Sequence, residues 1–250
     1  PKPLAPVAGK PFIVHLIEKW VEQGVTDFIF LLHFEAHLIE AVLFDILNDK
    51  RFGDIKIDII VESQPLGTGG SVFNAINTLN IKESFLVVNA DTWLSGGLRE
   101  FNTSAPNTIG AVTVDDCSRY GALVITDGMV EQFLEKSVSR SPGLVNAGLY
   151  HLSPDLVLRF SGGSCFSLEN DFFPFAIEKG ALCAAEIDAD FIDIGVPKNQ
   201  IFITGHSCGG WLTMMYFAKY TDKIAGGIST HHGCYGKLSK KYKVKKVGVE

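Results

Sequence analysis

Short runs rich in Val, Ile and Phe alternate with segments at helical spacing, and this alternation restricts the fold more than any other feature of the chain. Phe12, Ile13, Leu16, Ile17, Trp20 and Val21 recur at three- and four-residue intervals, which predicts one apolar helix face. Residues 27–32 read as a buried strand, 35–47 as a second helix and 55–61 as a second strand. Residues 71–79 suit a helix and 84–88 a further strand. A β-α-β-α-β order of this kind predicts a mainly parallel sheet with helices on both faces. Ligands of such sheets gather beyond the carboxyl ends of the strands. The polar residues just after each strand are therefore the candidates for chemistry.

The middle of the chain is richer in strands, expected over 108–114, 121–126, 129–134 and 144–152. Asp127-Gly128 between two of them signals a hairpin turn. Ser153-Pro154 suits a helix start, with Pro at the first helical position. Near Val196-Pro197 the pattern changes, which predicts one domain over 1–197 and a second segment over 198–250. A net charge of -6 weighs against a nucleic-acid-binding face, since phosphate backbones select basic surfaces. No apolar run approaches the roughly 20 residues of a membrane helix, so no membrane partner is expected. Five cysteines without a C-x-x-C pair argue for free thiols in a reducing, cytoplasmic setting.

Several residues then stand out for their chemistry. Lys2 lies between Pro1 and Pro3, which predicts a cation on a stiff, extended backbone, suited to phosphate or simply solvated. Glu62-Ser63-Gln64-Pro65-Leu66-Gly67-Thr68-Gly69-Gly70-Ser71 follows a strand and opens a helix. Its glycines would let backbone N–H groups approach a ligand closely, unless they serve only the turn. Gln64 offers an amide that can read a base edge. Asp91, directly after a strand, is placed either to hold Mg²⁺ or to cap a turn. Asp193 sits among apolar neighbours and needs a partner, because an unpaired buried charge is costly. A shared metal ion would supply one. Glu135-Lys136 could bind a sugar hydroxyl and a phosphate, or form an exposed ion pair. Asn146-Ala147-Gly148 reads as a sugar-binding wall or as a strand with a bulge glycine.

Taken in order, Pro1-Lys2-Pro3-Leu4-Ala5-Pro6, Pro65-Leu66-Gly67-Thr68-Gly69-Gly70, Asn89-Ala90-Asp91, Glu135-Lys136, Asn146-Ala147-Gly148-Leu149-Tyr150, Glu169-Asn170-Asp171 and Asp193-Ile194-Gly195-Val196-Pro197 resemble the sugar-1-phosphate nucleotidylyltransferases. The likeness is strongest to the branch using GTP with mannose or heptose 1-phosphate, and it covers residues 1–197. It implies a Rossmann-like three-layer α/β/α nucleotidyltransferase fold and the reaction NTP + sugar 1-phosphate → NDP-sugar + pyrophosphate. On that resemblance Lys2 binds phosphate, Gln64, Gly67 and Thr68 bind the nucleotide, and Asp91 and Asp193 hold Mg²⁺. Gly121, Glu135 and Asn146 line the sugar site, and Lys136 binds the sugar phosphate. The family places a Gly-rich, Arg-containing loop just before the Pro-Lys-Pro segment. This chain is expected to lack that first strand and loop, with reduced turnover as a consequence.

The last segment carries a different signal. Gly205-His206-Ser207-Cys208-Gly209, after a strand at 201–204 and before a helix at 211–220, fits the G-x-S-x-G nucleophile elbow. Residues 199–229 resemble the matching piece of an α/β-hydrolase, in which Ser207 is the nucleophile. Only Asp222, His231 and His232 lie downstream as acid and base, so esterase activity is not expected. A joined, non-catalytic fragment is the third reading. Oligomeric state is not encoded in any of these motifs.

Overall fold

In the computed structural model of the 250-residue chain, the described residues are 1–101, 103–120, 122–134, 141–194, 203–205 and 227–229. The chain divides into two compact units, Pro1–Gly195 and Val196–Glu250.

The first unit opens with a single 3-10 turn over Lys2–Leu4, closed by the Leu4 N–H on the Pro1 carbonyl at 3.0 Å. The Lys2 segment is thus turned rather than extended, because that hydrogen bond outweighs the bias Pro3 imposes on its predecessor. A small hairpin follows, β1 (Pro6–Val7) against β2 (Lys10–Pro11), which sequence reasoning missed. Its turn residues Ala8 and Gly9 have φ of 47° and 82°, as a tight primed turn requires. Helix α1 (Phe12–Glu22) buries Phe12, Ile13, Leu16, Ile17 and Trp20, the face its spacing predicts.

Strands β3 (Asp27–Leu32) and β4 (Lys56–Val61) pair in parallel, joined through helix α2 (Ala36–Leu47). Phe28, Phe30 and Leu32 pack with Ile13 and Ile17 of α1 and with Leu43 of α2. The opposite face is less covered, with Ile29 43% exposed, so β3 is not the fully buried strand its composition predicts. Helix α3 (Gly67–Leu79) starts four residues earlier than its apolar spacing suggests and takes the glycines into its first turn.

A six-stranded sheet forms the centre. It is built from β5 (Phe85–Val88), β7 (Thr108–Val114), β8 (Leu123–Thr126), β9 (Met129–Phe133), β10 (Gly143–Leu152) and β11 (Cys183–Glu186). The spatial order is β5-β10-β7-β11-β9-β8. Only β7 and β11 pair in parallel within it, and β10 runs antiparallel to both β5 and β7. The expected mainly parallel sheet is therefore mixed. Apolar periodicity sets which residues are buried but carries no information on strand direction. The turn at Asp127 and Gly128 has φ of 51° and 77°, as the hairpin signal predicts.

Both faces of this sheet are covered. Ile109 and Ala111 of β7, with Tyr150 and Leu152 of β10, pack under Phe172, Phe173 and α3. Val112, Val145, Ala147 and Leu149 pack on the other side against Phe12, Leu16 and Trp20 of α1. This makes the three-layer α/β/α arrangement. Helix α4 (Leu98–Phe101) is a single turn, and helix α5 (Pro154–Arg159) begins at Ser153, whose Oγ accepts the Leu156 N–H at 3.3 Å. A short ladder of β6 (Thr92–Leu94) with β12 (Phe191–Asp193) closes the unit. Short pieces such as β6, β11 and the helix α6 (Phe173–Glu178) escaped sequence reasoning because they are too brief to show a period. In the second unit, β13 (Ile203–Gly205) pairs in parallel with β14 (Gly227–Ser229).

Candidate active site

The two aspartates singled out by sequence meet at the β6–β12 ladder. Strand β5 ends at Val88, and the turn Asn89-Ala90-Asp91 is closed by the Thr92 N–H on the Asn89 carbonyl at 3.3 Å. In the antiparallel register Asp193 lies directly opposite Thr92, and the Ile194 N–H donates to the Asp91 carbonyl at 2.8 Å. The backbones of Asp193 and Asp91 thus adjoin at one end of the ladder. Both are half-buried. The Lys2 ammonium lies 3.9 Å from Asp91 Oδ2. The 3-10 turn that carries Lys2 is anchored below by the Phe12 N–H on the Ala5 carbonyl at 2.9 Å. The fold thus brings the backbones of two aspartates far apart in sequence side by side, with the Lys2 ammonium against one of them.

The donor set fits a hard divalent cation. Mg²⁺ takes one or two carboxylates from a protein and completes its octahedron with water and phosphate oxygens. Among the described residues no cluster of three or more His, Cys, Asp or Glu gathers.

The Gly-rich turn has a packing role of its own. A Cβ on Gly67 would lie 2.5 Å from the Phe166 carbonyl oxygen, and one on Gly70 would lie 2.4 Å from that of Ser164. A Cβ on Gly69 would enter the Phe166 ring at 2.3 Å. The N–H groups of Gly69 and Gly70 both donate to the Phe166 carbonyl, at 2.9 and 3.1 Å. These glycines let the 164–168 segment cross the start of α3, and the amides of Gly69 and Gly70 are spent on that segment. Thr68 is similarly engaged: its hydroxyl donates to Glu169 Oε2 at 2.9 Å and accepts the Leu168 N–H at 2.8 Å. Gln64 is exposed at the bend before α3, beside a turn tightened by the Leu66 N–H on Glu62 Oε2 at 3.2 Å.

Asn146 lies half-buried on β10, next to the irregularity between Asn146 and Tyr150. Its Oδ1 accepts the Gly148 N–H at 2.9 Å and its Nδ2 donates to the Tyr150 hydroxyl at 3.0 Å. Gly148 has φ 67°, and a Cβ there would meet Asn89 Nδ2 and Thr92 Oγ1 at 3.0 Å each. The hydroxyl of Tyr150 also accepts from Asn89 Nδ2 at 3.5 Å and donates to Glu169 Oε1 at 3.2 Å. Tyr150 is fully buried. Burial first, and then the negative charge of Glu169, hold its phenol well above the ordinary value of 10.0. The folded protein therefore keeps a proton that the unfolded chain releases above pH 10.0. The stability this site contributes is complete below that pH and falls as pH rises past it. Urea midpoints of wild type and Tyr150→Phe measured from pH 8 to 11 check this. The wild-type advantage is expected to shrink only above about pH 10.

Tyr150 as a hub, with Asn89 and Glu169 as its partners, was not found by sequence reasoning. All three stand in the motifs that carry the resemblance, but no local pattern marks them as mutual partners. Gly121, Glu135 and Lys136 lie outside the described residues, as does Ser207. A cleft of about 450 Å³ opens elsewhere, lined by Gly97, Phe101, Ala185, Glu186, Ile187 and Asp188, and none of the candidate residues lines it.

Residues 1–203 match the family model described as nucleotidyl transferase. The chain belongs to the nucleotidyl transferase family. This nucleotidyl transferase is 31% identical over 218 residues to a mannose-1-phosphate guanyltransferase of Eremothecium gossypii, covering 82% of the chain and 58% of the relative. It is 31% identical over 232 residues to that of Neurospora crassa, covering 89% and 60%. The chain thus spans about three-fifths of the length of these curated relatives. Among solved structures it is similar to HddC from Yersinia pseudotuberculosis complexed with GMP-PN, at 34% identity and a TM-score of 0.67, covering 79% of this chain and 86% of that one. A UDP-glucose pyrophosphorylase complexed with UDP-glucose shares the fold at 17% identity, with a TM-score of 0.61 over 78% of this chain and 85% of that one. The nucleotidyltransferase fold expected from the motifs is the fold found. Among the described residues, no helix of this nucleotidyl transferase is long and apolar enough to cross a membrane.

Proposed function

We propose that this nucleotidyl transferase moves a nucleoside monophosphate from an NTP, GTP by preference, to a sugar 1-phosphate of the mannose type in the cytoplasm. The sugar phosphate oxygen attacks the α-phosphorus in line, the bond from the α-phosphorus to the bridging oxygen breaks, and pyrophosphate leaves with that oxygen's electron pair. Such a reaction needs no covalent protein intermediate. What the protein must do is hold two polyanions in line and offset their charge.

What supports this reading is the end of the β6–β12 ladder, where the backbones of Asp91 and Asp193 adjoin and the Lys2 ammonium lies 3.9 Å from Asp91 Oδ2. Mg²⁺ bound there supplies charge neutralisation at the triphosphate. Asp91 and Asp193 are the residues that hold it, and Lys2 adds a phosphate-facing cation. Gln64 and Gly67 face the base, with Thr68 fixing the turn beside them. Asn146 presents its amide to the sugar, joined by Gly121 and Glu135, and Lys136 takes the sugar phosphate. Residues 1–197 form the transferase domain, and 198–250 a separate appended segment. GTP is favoured by the likeness to mannose-1-phosphate guanyltransferases and to HddC, the latter seen with GMP-PN.

The test is pyrophosphate release from each of the four NTPs with mannose 1-phosphate and Mg²⁺. GTP is expected to give the highest kcat/KM, and omission of the sugar phosphate to abolish release. If no NTP yields sugar-dependent pyrophosphate, the transferase reading fails.

A further inference from the structure

The buried hydroxyl of Tyr150 has a full set of partners: two amides donate to it and its proton goes to a carboxylate. Each partner belongs to a different part of the site. Asn146 is the sugar wall. Asn89 shapes the turn that presents Asp91, and its N–H donates to the Gly148 carbonyl at 2.9 Å. Glu169 reaches the Gly-rich turn through Thr68. One oxygen therefore touches the metal turn, the sugar wall and, through one carboxylate, the nucleotide turn.

We propose that Tyr150 is a positioning residue that orients the Asn146 amide and ties the sugar wall to the nucleotide turn through Glu169 and Thr68. The inference rests on the nucleotidyltransferase reading above. An Asn side chain can present its oxygen or its nitrogen to a ligand, and the two faces select opposite hydrogen-bond partners. Here the Gly148 N–H takes one lone pair of Oδ1 and Tyr150 takes one proton of Nδ2. The amide is locked, with one N–H and one lone pair left to read sugar hydroxyls. Without the phenol oxygen, Asn146 and Asn89 each lose an acceptor, and Glu169 loses a donor. The ring itself packs edge-on against Phe173 with centroids 4.9 Å apart, so Tyr150→Phe keeps the packing and removes only the hydroxyl.

The experiment is calorimetric titration of the full chain with GTP and, separately, with mannose 1-phosphate or glucose 1-phosphate. Tyr150→Phe is expected to weaken sugar 1-phosphate binding about tenfold, the cost of buried polar groups left without partners, with GTP affinity within about twofold. Thr68→Val, whose side chain lies at the nucleotide turn, is expected to weaken sugar-phosphate binding about threefold through Glu169. Asn146→Ala and the Asn146→Ala/Tyr150→Phe double variant are expected to bind sugar phosphate within about twofold of each other, because the two residues act as one unit. A purely structural tyrosine would lower the melting temperature and weaken both ligands alike; that result overturns the inference. So does wild-type sugar-phosphate affinity in both single variants, with GTP still bound. Should Tyr150→Phe not fold, Thr68→Val decides alone, and wild-type sugar-phosphate affinity in it overturns the coupling. A wild type that binds no GTP, or neither sugar phosphate, overturns the transferase reading and the inference together.

Discussion

Asp193→Asn is expected to lower kcat/KM about 10³-fold, the scale of losing transition-state charge stabilisation by a metal or a fixed dipole. Asparagine has the shape of aspartate but lacks its charge, so the β6–β12 ladder keeps its register and the urea midpoint moves little. Asp91→Asn is expected to act alike. The double variant should be scarcely worse than either single one, because both carboxylates serve one ion and groups acting as a unit are not additive. Chelation of Mg²⁺ from the wild type should reach the same floor. Were Asp193→Asn to retain turnover within about tenfold of wild type, the corner would be a structural turn and the metal would lie elsewhere. The ladder geometry makes this a sharp test, since Asp193 is set opposite Thr92, one residue from Asp91.

Gly67→Ala is expected to destabilise the protein by about 3 kcal/mol, combining the left-handed backbone cost for a residue with a Cβ and an overpacking cost. Gly67 has φ 73°, and the added Cβ would sit 2.5 Å from the Phe166 carbonyl oxygen. That oxygen cannot move freely, because it accepts the Gly69 and Gly70 N–H groups. Gly128→Ala is the control: φ is 77° and nothing lies within 4 Å of the new Cβ. Only the backbone cost of about 1–2 kcal/mol applies there. Urea denaturation of the two variants separates the terms. If Gly67→Ala is no more destabilising than Gly128→Ala and instead weakens nucleotide binding, the glycine is there for the ligand and not for the 164–168 segment.

The sequence by itself determined the local elements and singled out the candidate site residues. Phe12, Ile13, Leu16, Ile17 and Trp20 mark the buried face of α1, and β3 and β7 begin and end where their apolar runs do. Asp127-Gly128 predicts its turn because only a few residue types accept positive φ. Asp91, Asp193, Lys2 and Asn146 are legible as polar residues in unusual places. Such features depend on near neighbours in the chain, whose sterics and periodicity any reader can count. Only the tertiary structure decided strand direction, the register that sets Asp193 beside Asp91, and the use of the glycines for chain crossing. It also revealed Tyr150 as a junction, since its partners Glu169 and Asn89 lie 19 and 61 residues away in sequence. Hydrogen-bond partners at that separation are chosen by packing across the sheet, which no local pattern records.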